Sequence, residues 1–194
     1  MKKKRQSAVI KKILIFLFAL TVILANSEQK KEMALHHFMQ GEFLMNQGNY
    51  ALAVLEFQDA IDFDPNASTI HVSIADAYRR LGKSNRSEDH LRIALDLDPE
   101  DSDALEMIGQ LYLSQKKFGD AEIVYKDLVK LVPDNIEYLF TLADLAQIEK
   151  NWDLAIDYYI EGYRANSSAI NALEQALQIA LTTNSFDRAE EVCI

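Results

Sequence analysis

Apolar residues in this chain recur at the three-and-four spacing of helix faces, not at the alternation of strands. Two such stretches, Ala34–Asn46 and Ala51–Phe63, predict a pair of helices, and Gln47-Gly48-Asn49 between them is turn chemistry. Gly48 can take a positive φ there without steric cost. Leu81-Gly82-Lys83 repeats the turn, and Lys116 and Asn184 stand in the glycine's place further along. The prolines are Pro65, Pro99 and Pro133 alone, 34 residues apart. Each follows a predicted helix end and stops that helix, after which Asp64-Pro65-Asn66 and Asp98-Pro99-Glu100-Asp101 are expected to cap the next one. A fixed interval of this size marks a repeat architecture, not a single globular core.

Alignment on the prolines divides the chain into units 34–67, 68–101, 102–135 and 136–169, with a partial fifth at 170–194. Small residues recur at Gly41, Ala75, Gly109 and Ala143, then at Ala53, Ser87, Ala121 and Ala155, then at Ala60, Ala94, Leu128 and Gly162. A large apolar residue follows the second set at Phe57, Leu91, Tyr125 and Tyr159, and an aromatic between the helices recurs at Tyr50, Phe118 and Trp152, with Ser84 in the second unit. Small residues let two helix backbones approach, and large ones fill the space beside them. Ser167 stands where a fourth proline would fall.

This pattern resembles the tetratricopeptide repeat, a helix–turn–helix unit of about 34 residues. The resemblance covers residues 34–169 fully and 170–194 in part. It implies an all-α, right-handed α-solenoid of four repeats and a truncated fifth, placed after an N-terminal hydrophobic helix. It also implies a concave groove lined by the first helix of each repeat, where family members bind extended peptides or helices. The groove positions here are Phe38, Glu42, Met45, Val72, Asp76, Arg79, Glu106, Gln110, Leu113, Phe140, Asp144 and Gln147. Family members that hold acidic chaperone tails carry lysine, arginine and asparagine at such positions. Here only Arg79, with Arg80 beside it, is of that kind, so a basic or apolar segment is expected in preference to an acidic tail.

The N-terminal segment is of another type. Lys2, Lys3, Lys4, Arg5, Lys11 and Lys12 precede an uncharged run, Ile13–Ala25, of thirteen residues, and Ala25-Asn26-Ser27 has the small-x-small form of a cleavage site. Residues 1–27 are expected to be a secretory signal peptide, with an uncleaved inner-membrane anchor over 8–25 as the alternative and 28–33 as a lead-in to the first repeat. A spanning helix needs about 20 apolar residues, which favours the cleaved form. Both place the repeats outside the cytoplasm, in the periplasm or an equivalent compartment, and the membrane enters only through this segment.

The chain has 20 basic and 30 acidic residues, a net charge of −10, and the leader takes 6 of the basic ones, leaving 14 against 30 for residues 28–194. That field repels phosphate backbones and argues against nucleic acid as partner. No glycine-rich phosphate loop, His-Glu-x-x-His helix or converging carboxylate pair is present, so no catalytic residue and no cofactor are expected. His37 and His71 share one repeat position, held by Leu105, Leu139 and Leu173 later, and are expected to fill that slot without a metal. Cys193, at the large apolar position, is expected to pack as a small hydrophobe. The chain stops at Ile194 inside a predicted helix, where a truncated frame is expected. Two functions follow: a non-catalytic scaffold of the bacterial envelope, or the repeat region of a larger exported or membrane-bound enzyme.

Overall fold

The computed structural model describes the backbone of residues 2–192 and the side chains of residues 20, 21 and 24–192. Among these residues every regular element is a helix: α1 (Lys2–Asn46), α2 (Tyr50–Phe63), α3 (Ser68–Arg80), α4 (Ser84–Leu97), α5 (Ser102–Ser114), α6 (Phe118–Leu131), α7 (Ile136–Ile148), α8 (Trp152–Ala165), α9 (Ile170–Thr182) and α10 (Phe186–Val192). They fall into two compact units, 1–90 and 91–194. In the first, α1 packs on α2 and α2 on α3; in the second, each helix from α5 to α9 packs on its successor.

The two units use one packing device. In the first, Phe57 is fully buried and lies across Gly41, where an added Cβ would come within 2.4 Å of the ring. Burying such a ring contributes about 1.5–3 kcal/mol. In the second, Phe140 crosses Gly162, where a Cβ would meet the ring at 2.7 Å. The aromatic pairs beside these contacts, Phe38–Phe57 at 5.9 Å and Phe140–Tyr159 at 5.7 Å between centroids, occupy matching repeat positions. The small positions Ala53, Ala60, Ala121 and Ala155 have no exposure, so the helices meet there at close range. Ser87 is equally buried, and its hydroxyl oxygen has no hydrogen-bond partner.

The turn inside each repeat is set by one left-handed residue just past the first helix: Gly48, Gly82, Lys116, Lys150 and Asn184, with φ between 57° and 76°. At each, two crossed backbone bonds close the helix end; at Lys150 these are Lys150 N–H to the Gln147 carbonyl, 2.9 Å, and Asn151 N–H to the Ala146 carbonyl, 2.8 Å. Lys150 takes this turn 34 residues after Lys116, at a position that the period alone marks. The aromatics Tyr50, Phe118 and Trp152 open the second helices and do not stand between the pair.

Between repeats, Asp64, Val132 and Asn166 end their helices with nearly the same extended backbone. The turn at Ser167 therefore forms without proline, closed by Asn166 N–H to the Gly162 carbonyl at 3.0 Å and by Ser168 N–H to Asn166 Oδ1 at 3.0 Å. Asp101 caps α5, accepting from the N–H groups of Asp103 and Ala104 at 3.1 and 3.0 Å. The cap expected of Asp64-Pro65-Asn66 is absent: Ala67 stands at the N-cap of α3, and Asp64 accepts instead from Asn66 N–H within the turn, 3.4 Å.

The first helix does not begin at Ala34. No glycine or proline occurs between residues 2 and 40, and α1 is one helix from Lys2 to Asn46. The expected lead-in 28–33 is thus helical, and Asn26, Ser27, Lys30 and Lys31 border a hollow with Phe63 and Asp64 at the end of α2. No helix among the described residues is long and apolar enough to cross a membrane. Most side chains of the expected leader, together with Cys193 and Ile194, lie outside the described residues.

Gly41→Ala should lower the melting temperature by an amount equivalent to about 1–3 kcal/mol through overpacking against Phe57. It should do so although alanine normally adds about 1 kcal/mol in a helix interior. Phe57→Leu in the same chain should recover part of the loss; a raised melting temperature for Gly41→Ala alone would contradict the packing account. Lys150→Gly should stabilise, since a left-handed residue with a Cβ costs about 1–2 kcal/mol. Urea unfolding followed by circular dichroism measures both.

Candidate functional site

The first helix of each repeat carries the groove positions, and those in one unit differ electrically from those in the other. In the first unit, Glu42, Met45, Gln47, Tyr50, Asp76 and Arg80 line an open polar hollow of about 490 Å³. Asp76 faces two guanidinium groups from its own helix. Arg79 donates through Nε at 3.0 Å and through a terminal nitrogen, and Arg80 donates through Nε at 3.3 Å. Spacings of three and four residues bring these heads over one face. Arg80 also lies 5.7 Å from the centroid of the Tyr50 ring, and the Asp76 charge followed by the Tyr50 hydroxyl raises its affinity for its proton. Asp76 is thus compensated inside the hollow and is not a free acid awaiting a partner.

In the second unit the acids meet hydroxyl groups instead. Glu106 accepts from the Tyr138 hydroxyl at 2.9 Å and from Gln110 Nε2 at 3.0 Å. Asp144 accepts from the Tyr159 hydroxyl at 2.9 Å and from Gln147 Nε2 at 3.3 Å. Burial first, and then the hydrogen bond to Asp144, pushes Tyr159 up to about 12; burial and then Glu106 push Tyr125 to about 12. Tyr138 is raised by burial and by its bond to Glu106. These phenols remain neutral donors at neutral pH, so each bond orients its carboxylate without cancelling the charge. Among the described residues neither Glu106 nor Asp144 is paired with lysine or arginine. Of the apolar groove positions, Phe38 packs against the core of the first unit and Phe140 against that of the second.

The histidines do more than fill a leucine slot. His71 is buried, and both ring nitrogens are engaged: Nε2–H donates to the Pro65 carbonyl at 3.1 Å, which leaves Nδ1 to accept from His90 Nδ1–H at 3.1 Å. Burial, then the neighbouring His71, holds the His90 imidazole below its ordinary value. His37 Nδ1 lies 2.8 Å from Glu56 Oε2. In both repeats the partner stands 19 residues on, in the second helix. Later repeats have leucine opposite Val124, Tyr158 and Val192 in that register.

A family model described as tetratricopeptide repeat matches residues 20–68 and 72–136, more than half of the chain. Tetratricopeptide repeat protein 37 of Xenopus laevis is 29% identical over 97 residues, 50% of this chain and 6% of that protein. The chain spans 6% to 29% of the lengths of the curated relatives it matches. Among solved structures, YrrB, described as a tetratricopeptide-repeat protein with an unusual peptide-binding site, matches with a TM-score of 0.69 at 18% identity over 85% of both chains, a likeness of fold. The first tetratricopeptide-repeat domain of Spaghetti (RPAP3), bound to the HSP90 peptide SRMEEVD, matches with a TM-score of 0.58 at 25% identity, covering 62% of this chain and 95% of that one.

Asp76→Asn should release the Arg79 and Arg80 heads and raise affinity for an acidic peptide such as SRMEEVD, whereas Asp144→Asn should not. Fluorescence anisotropy with the labelled peptide separates the two variants. The fold should tolerate Asp76→Asn, because exposed ion pairs of this kind contribute about 0–1 kcal/mol.

Proposed function

The chain belongs to the tetratricopeptide-repeat family, and we propose that it is a non-catalytic scaffold holding a segment of a partner protein along the first helices of its repeats. The observation that carries this reading is the pair Glu106 and Asp144, on α5 and α7, each oriented by a tyrosine and a glutamine and neither matched by a cation among the described residues. A lysine or arginine of a bound segment would supply the missing charge, with on-rate and specificity set by that complementarity. Leu113 and Phe140 stand on the same two helices as these acids and offer apolar contact. We infer a setting in the bacterial cell envelope, outside the cytoplasm, from the basic and then apolar start of the sequence. The partner is accordingly an extracytoplasmic protein with an exposed basic or apolar segment.

A second reading draws on the small share of its relatives' lengths that the chain spans. These repeats would then precede the catalytic domain of a larger exported or membrane-bound enzyme, such as a transferase. An immunoblot of the native protein at a size well above 22.1 kDa favours that reading.

The test is a peptide comparison. A lysine-rich peptide should bind more tightly than SRMEEVD, and its affinity should fall with added salt. Glu106→Gln with Asp144→Asn should weaken that binding about tenfold, equivalent to about 1.4 kcal/mol, and flatten the salt dependence. Equal affinity for both peptides, or no change in the double variant, sinks the reading.

A further inference from the structure

The rim between α1 and α2 brings together three side chains of metal-ligating type. His37 Nδ1, a carboxylate oxygen of Glu56 and one of Asp59 all lie within 4.8 Å of one another. Nδ1 is 2.8 Å from Glu56 Oε2 and 3.9 Å from Asp59 Oδ2. Nitrogen and oxygen ligands bind zinc at about 2.0–2.2 Å, which places tetrahedral neighbours about 3.4 Å apart. The observed separations bracket that value, so small side-chain rotations admit an ion.

The imidazole is held for this task. Its ring stacks on Phe63 at 5.7 Å and 11°, with His36 edge-on at 5.5 Å. Glu56 and Asp59, three residues apart on α2, present their carboxylates on one helix face. Side-chain exposure rises from 22% at His37 through 32% at Glu56 to 59% at Asp59, which leaves an open side for water to complete the coordination. One imidazole with two carboxylates suits a divalent first-row transition ion better than calcium or magnesium, which take oxygen ligands only.

We propose that His37, Glu56 and Asp59 bind a divalent transition ion, with zinc the fitting case, and that the ion cross-links α1 to α2. The ion takes the Nδ1 lone pair of the neutral imidazole, so the ring proton sits on Nε2. An ion held only by the folded pair of helices raises the stability of the first repeat.

The test uses the full chain without a histidine tag, in detergent, titrated calorimetrically with zinc chloride and followed by thermal unfolding. One saturable zinc site and a raised melting temperature are expected, with no saturable heat from magnesium chloride. His37→Ala and the double variant Glu56→Gln with Asp59→Asn should lose both effects, while His90→Ala should keep them. No saturable zinc binding, or binding that persists in His37→Ala, overturns the proposal, leaving His37 and Glu56 as a plain hydrogen-bonded pair. Loss in His90→Ala with retention in His37→Ala overturns it in favour of the His71–His90 pair. If His37→Ala fails to fold, the two carboxamide variants taken singly decide the matter, and undiminished binding in both overturns the proposal.

Discussion

The structure depends on how closely two helix backbones approach where a ring crosses a glycine. Phe57 over Gly41 and Phe140 over Gly162 leave no room for a Cβ, so the rotation and height of each helix against its partner are fixed to a fraction of a turn. Every other side chain on those helices then faces core, rim or solvent by its distance from that contact. His37 is one turn before Gly41, and Glu56 immediately precedes Phe57. The imidazole and carboxylate consequently meet at the rim of the same interface.

The charge pattern follows from what each acid finds on its own surface. Asp76 has arginines three and four residues on, and the helix delivers them whether or not a ligand is present. Glu106 and Asp144 have no such neighbours and are met by phenols reaching from another helix. A hydroxyl donor orients a carboxylate but leaves its charge intact, so Asp76 and Asp144, at the same repeat position, differ in the charge they offer to an incoming segment.

The fold was legible because its signals are local and recur. Pro65, Pro99 and Pro133 marked the period, and Gly41, Ala75, Gly109 and Ala143 marked the close face. The period reaches further than the residue types that revealed it. Lys150 takes the left-handed turn with the same two backbone bonds as Gly48 and Gly82, and the helix before Ser167 ends at Asn166 without a proline. The continuous α1 was hidden by reading the leader and first repeat as separate segments, although no helix breaker lies between them. The groove was legible in position and less so in charge. Arg79 and Arg80 stood at helical reach of Asp76 in the sequence, but their rotamers decide whether they turn toward it. His37 was compared with His71 along the first helices, whereas its partners come from α2, a pairing that only the helix-to-helix register reveals.

The unbroken α1 has a consequence of phase. A helix advances about 100° per residue and resists twisting about its axis, so the angle fixed at Gly41 is carried back along the rod. The direction in which each face of the stretch 24–32 points is thereby set from the far end, by whether a benzyl ring fits against a backbone with no side chain. A change of one residue in length anywhere between Glu32 and Gly41 would rotate that stretch by more than a quarter turn against the repeat, with its composition untouched.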